Sequence, residues 1–489
     1  MELSRPELMI NSSERLVSVV AKVVQECQNG LPERMIHLSS DVGWPALRKC
    51  LDTYGRRIEA SVEEWESGLR MRLPRAVVTI EERASSIVVH GYRAGPGVVR
   101  DRPLLPAPVQ ATEVWQLTEY LTAPPAGAGS VFTGDEERLR AALKHESWLV
   151  ATLACDVLNR SGVPAVPRFV RDHDPHQSVG RGDSAQGDGT FTEVWEARVS
   201  VDEYALFEAV HPGYAVQMVE LGRMVRSHCR ALPDAVLDVG SGPGLPTVML
   251  AEMFPGARID AVEPSPAAIP HLVKNTAGHA VTLHRTGITD FAGPRDYPVT
   301  VSVGASHHMD TRMFLRGLKR HTAPGGLIVV ADEMVAPYAS ESERSRAVID
   351  HHFVYIDQAL AHVPDSRLPP VEQRRIRALR DTDRRTPERL ADLLEEVRQD
   401  RWFHIGDDSP WQRVRFCVLE LEALVAGVDY DVERKTWVEN FMTLAQDEGL
   451  EPVEHRRVHA TVGGRDLDAG THVVALRNPH PAPIASRTL

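Results

Sequence analysis

Three groups of residues in this sequence have the types and spacing to do chemistry. The first is the stretch 235–247, AVLDVGSGPGLPT, where Asp238 stands just before glycines at 240, 242 and 244. Glycines let a backbone turn sharply and approach a ligand with no Cβ in the way. A dinucleotide-binding loop would need G-x-G-x-x-G, and its third glycine would fall at position 245, which is leucine. Asp238 would also repel a pyrophosphate; it suits a ligand with a positively charged end. Glu263 closes the run RIDAV at 258–262 and adds a carboxylate able to accept both hydroxyls of a diol. The second group is His307-His308 in GASHHMD, whose imidazoles have a pKa suited to general-base work at neutral pH. The third combines Asp332-Glu333 with His351-His352, a carboxylate and imidazole set of the kind that binds divalent metals. Adjacent histidines on a helix point about 100° apart. One of His351 and His352 is therefore expected to pack and the other to be exposed, and no metal is assigned from the sequence.

The elements that must hold these residues follow from hydrophobic periodicity. Strands are expected at 235–239, 258–263, 281–286, 298–304 and 326–332, with helices at 245–254, 266–276 and 310–321 between them. This alternation implies a parallel sheet with helices on both faces. An approach helix at 201–230 has Tyr204, Phe207, Tyr214, Met218, Leu221 and Met224 as its apolar side, broken at His211-Pro212-Gly213. Residues 335–432 read as a helical insertion in four pieces, 341–362, 368–380, 386–400 and 410–427, after which a helix at 433–447 and strands at 451–460 and 471–477 complete the sheet. Insertions at the carboxyl ends of strands sit over the ligand crevice, so this one is expected to build a cap or substrate pocket. Its aromatics, among them Phe353, Tyr355, Trp402, Phe403 and Trp411, either line that pocket or form the insertion's own core.

Residues 235–334 resemble the core of a class I S-adenosylmethionine (SAM)-dependent methyltransferase. LDVGSGPG is similar to the family's first motif and AVEPS to its second; GASHHMD falls where strand four ends, and LKRHTAPGGLIVVADEM resembles the segment that enters strand five. The resemblance implies an α/β fold, a doubly wound Rossmann-like seven-stranded sheet, with SAM as cofactor. Position by position it implies that Asp238, Gly240, Ser241, Gly242 and Gly244 surround the methionine part. It puts Glu263 on the ribose, Pro264 and Ser265 beside the adenine, and Gly304 and Ala305 at the sulfonium. The family often has an Asp directly after the glycine that follows strand three. Here Gly287 is followed by Ile288 and Thr289 and only then by Asp290, so these three are the candidates for adenine contact. His307 and His308 are the catalytic candidates, with a purely positional role as the alternative. Tyr214 either lies over the cofactor or packs in the core. His351, His352 and Tyr355 are candidates for substrate contact. Metal-dependent catechol-type members bind a divalent ion with an acidic pair at the place of Asp332-Glu333, but they also use an acid where this chain has Ser306-His307. The activity implied is methyl transfer to an O, N or C nucleophile of a small molecule. GSGPGLPT also bears some likeness to nicotianamine-synthase-like enzymes, which transfer or cyclise the aminocarboxypropyl arm of SAM and release methylthioadenosine. A third reading is a non-catalytic SAM-binding partner or sensor.

Bulk properties narrow the field. A chain of 489 residues exceeds what one core usually supports. The formal net charge of −13 argues against a protein that grips nucleic acid by its phosphates. Five scattered cysteines (27, 50, 155, 229, 417) with no C-x-x-C read as reduced thiols of a cytoplasmic protein. No apolar run reaches membrane-spanning length, and the first residues lack a signal-peptide pattern. Residues 1–200 read as a mostly helical region (12–28, 46–72, 111–121, 135–160) with a hairpin at 76–81 and 86–91, a linker at 94–109 and a polar, glycine-rich loop at 171–190. His173, Asp174 and His176 in that loop read as solvated. The region is expected to form a homodimer contact or to cover the site, and the tail 480–489 to be disordered.

Overall fold

The computed structural model describes residues 136–171, 201–363, 368–398 and 411–480 and, before them, residues 8–10, 20, 33–40, 61–65, 68–73, 76–83, 86–93, 114, 117 and 118. The chain forms two compact units, Met1–Arg102 and Pro103–Leu489.

The first unit holds a six-stranded sheet of β1 (Leu8–Ile10), β2 (Glu33–Ser40), β3 (Ser61–Trp65), β4 (Gly68–Leu73), β5 (Ala76–Arg83) and β6 (Ser86–Arg93). Its order is β1-β2-β6-β5-β4-β3, antiparallel except for the β1/β2 pair. The hairpin β5–β6 is the one the alternation predicts. The helix expected over 46–72 fails from residue 61 onward, where β3 and β4 pair Val62 with Met71 and Trp65 with Gly68. The apolar spacing of 47–62 is helical, but Leu69, Met71 and Leu73 follow the period-2 alternation of a strand. The helices at 12–28 and 111–121 fall outside the described residues except for residues 20, 114, 117 and 118, which are helical. The linker at 94–109, His173, Asp174 and His176, Trp402 and Phe403, and the last nine residues also lie outside them.

The second unit opens with α1 (Glu136–Ala142), α2 (Trp148–Arg160), α3 (Arg168–Arg171), α4 (Val201–Val210) and α5 (Tyr214–His228). The single helix expected at 135–160 is interrupted, because Ser147 caps α2 by accepting from Val150 N. The sheet then runs β7 (Ala235–Val239), α6 (Leu245–Met253), β8 (Arg258–Val262), α7 (Ala268–Asn275), β9 (Val281–His284), β10 (Tyr297–Val303), a 3₁₀ turn at Ser306–His308, α8 (Thr311–His321) and β11 (Thr322–Met334). Four inserted helices follow, α9 (Glu341–Leu360), α10 (Pro370–Arg380), α11 (Pro387–Arg398) and α12 (Trp411–Val428); α13 (Val438–Asp447), β12 (Glu451–Ala460) and β13 (Gly470–Arg477) close the fold.

The seven strands lie in the order β12-β13-β11-β10-β7-β8-β9, all running in one direction except β13, which is antiparallel to both of its neighbours. Side chains alternate between two cores. Val236, Val299, Val301, Leu327 and Val329 pack on one face with α5 and α6, while Leu237, Val239, Ile328 and Val330 pack on the other with Phe314, Leu315 and Phe441. Strand order reverses between β7 and β10, so their carboxyl ends part and leave a crevice. Helix α12 packs on α4, which places the insertion beside that crevice.

Candidate functional site

The crevice is an open cleft that takes in about 890 Å³ of space, solvent at its mouth included. Its floor is the glycine loop. Gly240 has φ +73°, and a Cβ there would lie 2.4 Å from the Cβ of Ala305, so any side chain would be both strained and in collision. Gly244 has φ +101° and precedes α6, turning the chain into the helix. Glu263, just past β8, is held by two backbone amides. Gly242 N donates to its Oε2 at 2.7 Å and Ser265 N to its Oε1 at 2.7 Å. Gly240, Gly242, Glu263, Pro264, Ser265, Ile288, Gly304 and Ala305 all line the cleft, as does His308.

The remaining sequence candidates stand outside the cleft wall. Asp238 is fully buried behind the loop, where Thr247 Oγ1 donates to Oδ2 at 2.6 Å while Oδ1 accepts no hydrogen bond. Burial raises its pKa to about 6, against the pull of the Thr247 hydroxyl. Ser241 and Gly244 sit in the same layer. Thr289 and Asp290 bond to each other at 3.2 Å on the surface. Tyr214 packs below the cleft, and its hydroxyl donates to Glu208 Oε1 at 2.7 Å.

Glu208 is the residue the sequence reading missed at this end. It lines the cleft with Tyr204, is 4% exposed, and its Oε2 accepts no hydrogen bond. Burial pushes its carboxyl up to about 8, with the Tyr214 hydrogen bond opposing and the charges of Glu263 and Asp238 adding. The signal was present: Glu208 lies four residues after Tyr204 and next to Phe207, inside the apolar stripe of the approach helix.

Behind His308 the interior is crowded with charge. His307 is buried and meets Asp332 Oδ1 through Nδ1 at 2.8 Å. Asp332 also accepts from Ser306 N and Glu333 N, each at 2.7 Å. Burial alone would raise Asp332, yet His307 and Lys435 outweigh it and hold the carboxyl at about 2. Lys435 Nζ lies 3.1 Å from Glu333 and 3.3 Å from Glu433. His211 stands 3.2 Å from Glu333 and 3.6 Å from Glu420. Burial, helped by the neighbouring His307, drives His308 down to about 3, which leaves it neutral at physiological pH and a weak base.

His351 and His352 correct the expectation that one is exposed: they are 0% and 1% exposed. They do diverge. His351 Nδ1 meets Thr461 Oγ1 at 2.8 Å, with Nε2 3.5 Å from Glu333, and His352 Nδ1 meets Glu420 Oε1 at 2.7 Å. Both sides of α9 are covered, one by the β11–β13 side and one by α12, so divergence does not bring exposure. Tyr355 bonds Thr471 Oγ1 at 3.0 Å. None of these three lines the cleft. Glu433 and Lys435 were missed because a helix was expected from 433. That helix begins only at Val438, and residues 433–436 are extended, with Arg434 N donating to His307 O at 2.6 Å and Val335 N to Thr436 O at 3.0 Å. Extended backbone turns alternate residues inward, and these are Glu433 and Lys435.

Residues 236–326 match the family model described as a methyltransferase domain. Among solved structures, the N-methyltransferase NodS of Bradyrhizobium japonicum WM9, in complex with S-adenosyl-L-homocysteine, is 13% identical with a TM-score of 0.33, over 60% of this chain and 100% of NodS. DesVI of Streptomyces venezuelae is 22% identical with a TM-score of 0.22, over 26% of this chain and 58% of DesVI. A geranyl diphosphate methyltransferase in complex with GPP and sinefungin is 12% identical with a TM-score of 0.29, over 55% of this chain and 82% of that one. No curated protein sequence matches the chain. Among the described residues, no helix is long and apolar enough to cross a membrane.

Proposed function

Residues 236–326 belong to the class I SAM-dependent methyltransferases, and from that premise we propose that the protein transfers the methyl group of SAM to a small molecule held beside Tyr204, Glu208 and His308. The observation that carries this reading is the Glu263 carboxylate, clamped by two loop amides at the open end of β8 and facing the same cleft as Gly240, Gly242 and Gly304. A carboxylate in this place is of the type that accepts ribose hydroxyls. One buried carboxylate oxygen on the cleft wall, Glu208 Oε2, accepts no hydrogen bond and fits a ligand that carries positive charge.

When bound, SAM supplies an electrophilic methyl on a good leaving group, so the protein has mainly to align the acceptor and exclude water. Tyr204, Glu208 and His308 form the polar part of the wall on which an acceptor would rest. In the free protein Glu208, with a carboxyl near 8, is mostly protonated at neutral pH, and it becomes able to take a proton only once a bound cation has ionised it. The inserted helices at 335–432 act as the cap of the acceptor side, supported by the packing of α12 on α4.

The test is incubation of the purified chain with SAM and a small-molecule extract, with mass spectrometry of the nucleoside product. S-adenosylhomocysteine and a metabolite heavier by one methylene support methyl transfer. Methylthioadenosine would instead mean aminocarboxypropyl chemistry, and tight SAM binding without turnover in any extract would favour a sensor.

A further inference from the structure

The turn Ser306–His308 presents two histidines side by side. It brings adjacent imidazoles together, with ring centroids 4.2 Å apart at 54°. The extended segment that hydrogen-bonds to this turn through Arg434 N lays Glu433 against the same pair. One ligand atom from each of His307, His308 and Glu433 falls within 4.8 Å of the others.

Three features separate this cluster from an ordinary buried ion pair. The first is distance. His307 Nε2 and Glu433 Oε2 are 3.9 Å apart, too far for a hydrogen bond. Two ligand atoms each about 2.0–2.2 Å from one metal stand roughly 3–4 Å apart. The second is orientation. Asp332 Oδ1 holds His307 by Nδ1 at 2.8 Å, the carboxylate–histidine arrangement that fixes a ring so that Nε2 presents its lone pair to a metal. The third is unspent acceptor capacity. Glu433 is 3% exposed, and its Oε2 accepts no hydrogen bond. The nearest ammonium, Lys435, is shared between Glu433 and Glu333. A buried excess of negative charge calls for a cation.

We propose that His307, His308 and Glu433 bind a divalent transition metal whose open coordination positions face the acceptor. Two imidazole nitrogens and one carboxylate suit iron, manganese, cobalt, nickel or zinc, whereas magnesium and calcium prefer all-oxygen sites. Three protein ligands leave positions free, as in catalytic rather than structural sites. His308 also lines the cleft, so the free positions open on its wall. There a metal would orient an acceptor oxygen or nitrogen and ease loss of its proton. Metal binding stands on the cluster alone; its place beside the acceptor rests on the SAM reading above.

The experiment is titration of the metal-stripped full chain with Co²⁺, followed by visible absorption and by equilibrium dialysis, with SAM affinity measured in parallel. One Co²⁺ per chain is expected, displaced by Zn²⁺ in competition. Glu433→Gln and His308→Ala should each weaken Co²⁺ binding at least about tenfold, and Asp332→Asn by about 10–100-fold, the range for a residue that orients a ligand. Circular dichroism and cooperative thermal unfolding identify the variants that fold. A folded wild type that takes up no Co²⁺, or folded Glu433→Gln and His308→Ala proteins that bind it as tightly as wild type, overturns the proposal. Co²⁺ binding without SAM binding would overturn the reading of the cleft while leaving the metal site intact.

Discussion

If the cleft receives a ligand with positive charge, Glu208 must release a proton when it binds. In the free protein its carboxyl stands near 8, raised from 4.5 chiefly by burial. A sulfonium or ammonium beside Oε2 favours the ionised form and returns the pKa toward the ordinary value. The full return, about 3.5 pKa units at 1.36 kcal/mol each, is a coupling of roughly 4.8 kcal/mol and sets the upper limit. At pH 7 about nine in ten Glu208 side chains start protonated, so SAM binding should release about 0.9 proton from this residue. Over pH 6 to 7 SAM affinity should rise about ninefold, with up to about twofold more from Asp238, which titrates near 6. The assay is isothermal titration calorimetry with SAM in buffers of different ionisation enthalpy, which counts the protons directly. Glu208→Gln should abolish most of the release and leave only the shallow Asp238 slope. A wild type that releases no proton at pH 7, or a Glu208→Gln protein that releases the same number, would refute the reasoning.

The same group shapes stability in the absence of ligand. Its folded pKa lies above its unfolded one, so its contribution is complete below about 4.5, fades as pH rises, and is gone above about 8. Melting temperature should therefore fall across that window, and Glu208→Gln should flatten the decline. Tyr214→Phe removes a hydrogen bond that lowers Glu208; it should move the pH profile of SAM affinity upward, by about half to one unit for a typical lost hydrogen bond of about 1 kcal/mol. Gly240→Ala combines φ +73° with a 2.4 Å collision against Ala305. Denaturant unfolding should show a loss of about 1–3 kcal/mol, together with weakened SAM binding.

The parallel sheet was legible because its strands are buried on both faces and read as apolar runs bounded by glycine and proline, as in AVLDVGSGPG. The loop side of the cleft was legible for a related reason. It is built from loop residues next to those strands, and Gly240, Gly242, Glu263, Gly304 and Ala305 line one cleft. Ser241, Gly244 and Asp238 belong to the same loop, but strand and turn geometry places them behind it. The acceptor half was far less legible. Glu208 is hidden in an apolar helical stripe. Glu433 and Lys435 are buried by a short extended segment that periodicity assigned to a helix, and their partners His307, His211 and Glu333 come from distant parts of the chain. Only tertiary packing sets these neighbours, and no local spacing encodes them. The hairpin β3–β4 was missed because an i, i+4 pattern ran into it from the preceding residues.

The central claim is that the cleft bounded by Gly242 and Glu263 binds SAM, and equilibrium dialysis of SAM against wild type and Glu263→Ala tests it most directly. The variant loses the ribose acceptor and the two amide clamps while keeping the fold, which circular dichroism checks. The account predicts saturable binding of one SAM per chain by wild type and an affinity lower by at least about tenfold in the variant, as for loss of a charged hydrogen-bond partner. Absence of binding by a folded wild type, or equal affinity in the variant, would contradict it.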